Sequence, residues 1–286
     1  MTALRFSKMH GAGNDFVVLD LRGGDIAPAP LLWRLLGDRH RGVGCDQILT
    51  IEAPREPSAQ ARYAIWNSDG SRAGQCGNGA RCVAAWLARE DGIRETSFVL
   101  ESPAGLHPVE RMADGQWRVG MGRPHLQPAQ VPMQGIDVEA DAYEIDLDGQ
   151  RITIGALSMG NPHAVLVVED VAAAPVDRIG PALQASTIFP ESVNVGFAQV
   201  LSRHHIRLRV FERGAGETLA CGSGACAAAA ILIKRGLIDR RVTVSLPGGD
   251  LRIEWPHEDA GIDMTGPATF VYDGVLDGAI LGKTIA

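Results

Sequence analysis

Gln75-Cys76-Gly77-Asn78-Gly79-Ala80-Arg81-Cys82-Val83-Ala84-Ala85-Trp86 returns late in the chain as Ala220-Cys221-Gly222-Ser223-Gly224-Ala225-Cys226-Ala227-Ala228-Ala229-Ala230-Ile231, its leading cysteine 145 positions further on. The echo is not isolated. Gly13-Asn14-Asp15-Phe16-Val17-Val18 is answered by Gly160-Asn161-Pro162-His163-Ala164-Val165. Trp66-Asn67-Ser68-Asp69-Gly70 precedes the first cysteine as Phe211-Glu212-Arg213-Gly214 precedes the second. Several matches in one order, at nearly one offset, in a chain of 286 residues point to a duplicated half.

Each half has the same coarse grammar. Short β-branched runs at Phe16–Leu19, Ala164–Val168, Ile206–Phe211 and Val242–Leu246 read as strands. Ala80–Arg89 and Ala225–Lys234 read as helices that are nearly apolar all round. A helix without a polar face must be enclosed. A sheet wrapped around it provides the enclosure, so each half is expected to be α+β with a buried central helix. The stretch Arg123–Pro132, with three prolines, looks like the crossing between halves, and Thr265–Leu276 carries a strand pattern that could return to either one.

Composition narrows the function. With 27 Lys plus Arg against 34 Asp plus Glu, the net charge of -7 excludes a generally basic nucleic-acid surface. No apolar run approaches the roughly 18 residues of a membrane helix, and the first residues lack an apolar signal core, so a cytoplasmic protein is expected. Five cysteines without a CxxC pair read as reduced thiols and not as a zinc ribbon. Neither Cys76 with Cys82 nor Cys221 with Cys226 has a spacing that shares a helix face, so no metal site is expected. Gly278-Ala279-Ile280-Leu281-Gly282-Lys283-Thr284 is too short between its glycines for a phosphate loop, and Gly11-Ala12-Gly13 lacks the later glycine of a dinucleotide fingerprint. No nucleotide binding is expected.

The chemistry is expected where each central helix begins. A cysteine stands before Gly-X-Gly in both halves, where glycine lets the backbone turn and a ligand approach. The first N–H groups of a helix lack partners and carry the positive end of the dipole, so they accept an anion such as a carboxylate. The same terminus lowers a thiol pKa from about 8.5, which predicts some thiolate near neutrality. Two such thiols can invert a stereocentre, one abstracting a proton while the other donates to the opposite face. None of the three lysines, Lys8, Lys234 and Lys283, lies in these motifs, so a pyridoxal Schiff base has no support and cofactor-free deprotonation is favoured.

The strings KMHGAGNDF, GVGCDQ, NSDGSRAGQCGNGARC, GNPHAV and ERGAGETLACGSGACA, in this order over essentially the entire chain, closely resemble the diaminopimelate epimerase family. The resemblance implies interconversion of LL- and meso-diaminopimelate without cofactor or metal, on the route to lysine and peptidoglycan. It implies two pseudo-symmetric halves, each a mainly antiparallel barrel-like sheet around a central helix, with the site between them. It also implies a homodimer and a C-terminal strand that returns to the N-terminal half. The halves would then be 1–120 with 267–286, and 121–266.

By motif, the resemblance makes Cys76 and Cys221 the acid/base thiols, and gives Gly77, Asn78, Gly222 and Ser223 the reacting carboxylate. Asn14, Gln47 and Glu212 match positions near the reacting centre, and His163 matches a residue that supports the thiol pair alongside Glu212. Asn67, Asn161, Asn194 and Arg213 match positions that read the distal, unreacting centre, where an Arg fork suits a carboxylate and amide oxygens suit an ammonium. Cys45, Cys82 and Cys226 read as packing residues. Two rival readings are a cofactor-independent racemase of another amino acid, which would leave Arg213 little to bind, and a non-enzymatic thiol redox sensor.

Overall fold

The computed structural model describes residues 4–24, 30–74, 76–147 and 149–276. The chain divides into two compact units, Met1–Val119 with Gly266–Ala286, and Gly120–Thr265. The Arg123–Pro132 stretch lies wholly in the second unit, where His125 pairs with Ser158 and Pro128–Gln130 makes a single 3-10 turn. The Gly278–Thr284 stretch lies outside the described residues.

In the first unit β1 (Leu4–Gly11) and β2 (Asn14–Asp20) pair antiparallel, and α1 (Pro30–Gly37) leads to β3 (Gln47–Glu52), β4 (Ala61–Asn67) and the short β5 (Arg72–Ala73). Helix α2 (Gly77–Glu90) then leads to β6 (Ser97–Ser102), β7 (Gly105–Arg111) and β8 (Trp117–Gly120). Strands β2 and β3 run parallel, as do β4 and β6. Parallel neighbours need a crossover connection, and α1 and α2 supply the two.

The second unit opens with β9 (Tyr143–Leu147) and then repeats that order: β10 (Gln150–Ser158), β11 (Pro162–Val167), α3 (Val176–Gln184), β12 (Asn194–Ser202), β13 (His205–Glu212), β14 (Gly216–Thr218), α4 (Gly222–Lys234), β15 (Arg241–Leu246), β16 (Gly249–Glu254) and β17 (Asp263–Gly266). Again the parallel pairs are those bridged by helices, β11 with β12 and β13 with β15. The last strand, β18 (Thr269–Leu276), pairs antiparallel with β1 in the first unit, as β9 pairs with β10 in the second. The C-terminal strand thus fills, for the first unit, the place that β9 fills for the second. Each unit is a mainly antiparallel, barrel-like sheet around a central helix, an α+β fold.

The central helices are buried as their composition requires. Helix α2 is buried from Gly77 to Leu87 and packs on β1, β2, β3 and β7; α4 packs on β10 to β13 and on β15 and β16. Runs of alanine let the sheet come close, and burying Ile231, Leu232 or Ile233 of α4 contributes about 1.5–3 kcal/mol each. The outer helices α1 and α3 present only one apolar face, with Leu32, Trp33 and Leu36 in one core and Ile179 and Leu183 in the other. Just past the end of α4 stands Gly236, whose φ of 67° no β-carbon favours, with the Leu237 N–H returning to the Leu232 carbonyl at 3.0 Å. Among the described residues no helix is long and apolar enough to cross a membrane.

Sheet and helix approach closely at Gly155 of β10, where a β-carbon would stand 2.3 Å from Cγ2 of Ile231. Gly155→Ala should therefore cost about 1–3 kcal/mol of stability, as overpacked cores do. In an Ile231→Ala background the same change should cost less in urea unfolding. Equal costs in both backgrounds would contradict this packing.

Candidate active site

Cys76 and Cys221 occupy the same place in their units, as the residue that caps the central helix. Both have extended backbones, with φ, ψ of -147°, 105° and -116°, 109°, and the helix starts at the next residue. Such a position ordinarily carries Ser, Thr, Asp or Asn. A thiol there gives up a strong cap and gains the dipole and the N–H groups of the first turn. The second glycine of each motif is needed for close approach: a β-carbon on Gly224 would stand 3.1 Å from Val210 Cγ2 and 3.3 Å from Cys221 Sγ, and one on Gly79 would stand 3.0 Å from Leu49 Cδ2.

The two thiols have different neighbours. Cys76 is half-buried, and its Sγ accepts the Gly79 N–H at 3.4 Å and lies 3.6 Å from Asn14 Oδ1. Asn14 Oδ1 also accepts from Asn78 Nδ2 at 3.4 Å, and Asn78 Oδ1 accepts from Arg81 Nη2 at 2.8 Å. Asn14, Cys76 and Asn78 therefore come together. Gln47 and Asn67 form a separate pair, opposite each other in the register of β3 and β4, with Gln47 Nε2 donating to Asn67 Oδ1 at 3.0 Å.

Cys221 is 4% exposed and donates to Glu212 Oε2 at 3.0 Å, with Ser223 Oγ 3.7 Å away. Thr218 donates to the other Glu212 oxygen, fixing the carboxylate from β14. Burial first, and then the charge of Glu212, push the Cys221 thiol well above its ordinary value. The lowered thiol expected from the helix dipole is thus reversed at Cys221, because burial of the thiol and a carboxylate in hydrogen-bond contact together outweigh a partial charge. Cys45 and Cys82 are buried thiols pushed up to about 12 by burial, and Cys226 is fully buried; all three pack as expected.

The remaining predicted side chains of the second unit fall into two pairs, Asn161 with His163 and Asn194 with Arg213. Asn161 Oδ1 lies 3.0 Å from His163 Nε2. Asn194, which is 3% exposed, uses its amide on the backbone, donating to the Pro162 carbonyl at 3.1 Å and accepting the Arg213 N–H at 2.9 Å. Arg213 itself is exposed and donates to the Glu191 carbonyl at 2.8 Å. The parallel register of β11 and β12 sets His163 beside Asn194. Burial, reinforced by the Arg213 charge, lowers His163 to about 3, so its ring is neutral at physiological pH.

Several residues of this arrangement escape the sequence reading. Thr218 fixes Glu212, and Arg81 is fully buried beneath Asn78. Lys8, Asp15, Arg39 and Asp46 form a charged cluster behind Asn14. The available signal is position: Lys8 and Asp15 stand in KMHGAGNDF, and Asp46 stands in GVGCDQ.

A profile of the family described as diaminopimelate epimerase matches residues 6–127 and 155–271. The chain belongs to the diaminopimelate epimerase family. That makes it an isomerase of the amino-acid epimerase class. It is 59% identical over 271 residues, 95% of each chain, to the diaminopimelate epimerase of Xanthomonas axonopodis pv. citri (strain 306). It is also 58% identical over 276 residues, 96% of each chain, to the O-ureido-serine racemase of Streptomyces lavendulae. The same fold occurs in a hydroxyproline epimerase from Agrobacterium vitis, with a TM-score of 0.70 at 16% identity, over 96% of this chain and 92% of that one.

The His163 environment has a measurable consequence. Its folded value of about 3 lies below the ordinary 6.5, so the unfolded chain binds the proton first. This group costs nothing above pH 6.5 and destabilises progressively as pH falls below it. At pH 5.5 the difference amounts to about 1.4 kcal/mol. Urea unfolding at pH 7.5 and 5.5 should therefore show wild type losing about that much more than His163→Gln, whereas equal losses would contradict the buried neutral ring.

Proposed function

We propose that the chain interconverts LL- and meso-diaminopimelate by a two-thiol mechanism, without pyridoxal phosphate or metal, on the route to lysine and peptidoglycan. The observation that carries this reading is the pair of helix-capping cysteines at equivalent places in two units of the same topology. One thiol removes the α-proton as thiolate while the other donates a proton. Inversion requires the two to act on opposite faces of the carbon, and the reverse reaction exchanges their roles. Gly77, Asn78, Gly222 and Ser223, in the first turns of α2 and α4, hold the reacting carboxylate with N–H groups, where the dipole also stabilises charge that develops during deprotonation.

Glu212 and His163 support the chemistry. The carboxylate of Glu212 receives the Cys221 S–H, so it can draw off that proton when Cys221 acts as base and keep it loaded when Cys221 acts as acid. Neutral His163 orients Asn161 without adding a charge. Asn14 and Gln47 serve the reacting centre; Asn67, Asn161, Asn194 and Arg213 serve the distal one. Asn194 does so by holding the backbone of Arg213, which leaves a guanidinium to pair with a distal carboxylate.

The rival substrate has a specific basis, since identity to the O-ureido-serine racemase is within one per cent of that to the Xanthomonas enzymes. That compound ends in a neutral urea, whereas diaminopimelate ends in a second amino-acid head group. Arg213 favours the latter. The enzyme works in the cytoplasm, where thiols stay reduced, and as a homodimer; Val271, Tyr272 and Val275 of β18, 55%, 47% and 59% exposed, supply apolar surface for a second copy.

The test is a proton NMR time course in D2O with reduced protein and no pyridoxal phosphate, run on LL-diaminopimelate and on O-ureido-serine. The α-proton signal of LL-diaminopimelate should disappear as the meso isomer grows, and faster than any exchange of O-ureido-serine. Arg213→Ala should lower kcat/KM for diaminopimelate by roughly 10–100-fold, the value of a charged hydrogen bond, and leave a substrate with a neutral distal end nearly unaffected. Faster turnover of O-ureido-serine, or equal loss on both substrates, would overturn the assignment.

A further inference from the structure

Behind Asn14, four charged side chains from four segments of the first unit meet: Lys8 on β1, Asp15 on β2, Arg39 after α1 and Asp46 before β3. Lys8 Nζ donates to Asp15 Oδ2 and to the Gly44 carbonyl. Arg39 grips both Asp15 oxygens, at 2.8 and 3.0 Å, and reaches Asp46 Oδ1 at 2.8 Å. The two aspartates also cap each other: Asp46 N–H donates to Asp15 Oδ1 at 2.8 Å, and Asp15 N–H to Asp46 Oδ2 at 3.1 Å. Burial would raise the Asp15 carboxyl, but its bonds from Arg39 and Lys8 outweigh that and hold it well below the usual carboxylate range.

What this cluster holds is an amide. Asp46 Oδ2 lies 3.0 Å from Asn14 Nδ2. An ionised carboxylate only accepts, so the amide nitrogen must face it and the amide oxygen must face the other way. That oxygen lies 3.6 Å from Cys76 Sγ. It can accept a hydrogen bond from the thiol but offers none to a thiolate, and so favours the protonated form. The Gly79 N–H at 3.4 Å acts in the opposite sense. Of the titratable groups around Cys76, Tyr63 on β4 and Cys82 on α2 are both raised by burial and neutral near pH 7, while Arg81 of α2 stays charged and is turned to Asn78.

We propose that Asp46, locked by Arg39 and Asp15, is a positioning residue that turns the Asn14 amide oxygen toward Cys76 and thereby sets the proton affinity of that thiol. This rests on reading Cys76 as an acid/base thiol. In the Asp46→Asn protein the partner of Asn14 no longer has to accept, which leaves the long 3.4 Å contact from Asn78 Nδ2 as the remaining hold on the amide oxygen and lets the Asn14 amide turn its N–H groups to the thiolate. Asp46 then acts on the reaction without touching substrate.

The experiment follows iodoacetamide alkylation of Cys76 against pH in the full chain, by peptide mass spectrometry, beside the epimerase assay. In Asp46→Asn the alkylation midpoint should fall by about one pH unit, making Cys76 roughly tenfold more reactive at neutral pH. The midpoint of the activity profile governed by this thiol should move with it. Asp46→Glu should restore both. In an Asn14→Ala background Asp46→Asn should produce no further shift; an equal shift there would mean that Asp46 acts only through its charge, and would overturn the proposal. Should Asp46→Asn fail to fold, Asp46→Ala, which also removes the accept-only partner of the Asn14 amide, should shift the profile in the same direction. An unchanged alkylation profile in either folded variant would overturn the proposal, whereas a shifted profile in a protein that exchanges no α-proton would count against the epimerase reading alone.

Discussion

A helix with no polar side has nowhere to rest except inside other structure, and this chain carries two. Helix α4 is lined with alanine and branched apolar residues through nearly its whole length, and α2 is buried from Gly77 to Leu87 with Asn78 and Arg81 enclosed among its apolar residues. Each must be covered on every side, and a curved, mainly antiparallel sheet covers each one. Once the barrel of the helix is enclosed, its N-terminus is the part whose N–H groups still need partners. The fold and the site therefore have one origin: burying the helix aims its positive end at a defined place, and the residue that caps that end is a cysteine.

Duplication gives the arrangement twice, but the two copies have diverged in charge. In the first unit the thiol meets a neutral amide oxygen from Asn14; in the second it meets the Glu212 carboxylate under deeper burial. A racemising pair needs one thiol as acid while the other is base, and unlike surroundings break the tie between them. The outer helices and the added strands β9 and β18 complete each sheet by different routes, one from within the unit and one from the far end of the chain.

Much of this was legible in the residues. The repeated Cys-Gly-X-Gly-Ala fixed both central helices to within three residues of their starts, and β-branched runs located β2, β11, β13 and β15. What the sequence hid depends on partners distant along the chain. Helix α1 is short, and α3 contains Pro181, so neither gave a strong periodic signal. The cluster of Lys8, Asp15, Arg39 and Asp46 forms only when β1, β2 and the loop before β3 lie side by side. The Gln47–Asn67 pair likewise depends on the register of β3 and β4. The direction of the Cys221 shift is hidden for a similar reason: the dipole is visible in sequence, whereas the depth of burial and the position of Glu212 are not.

The proposed mechanism places one acid and one base on the two capping thiols. It is tested most directly by replacing each with alanine, in separate folded proteins, and following stereochemical inversion of LL-diaminopimelate in reduced solution. Cys76→Ala and Cys221→Ala are each expected to slow inversion by at least about a hundredfold. Wild-type inversion in either variant would contradict it.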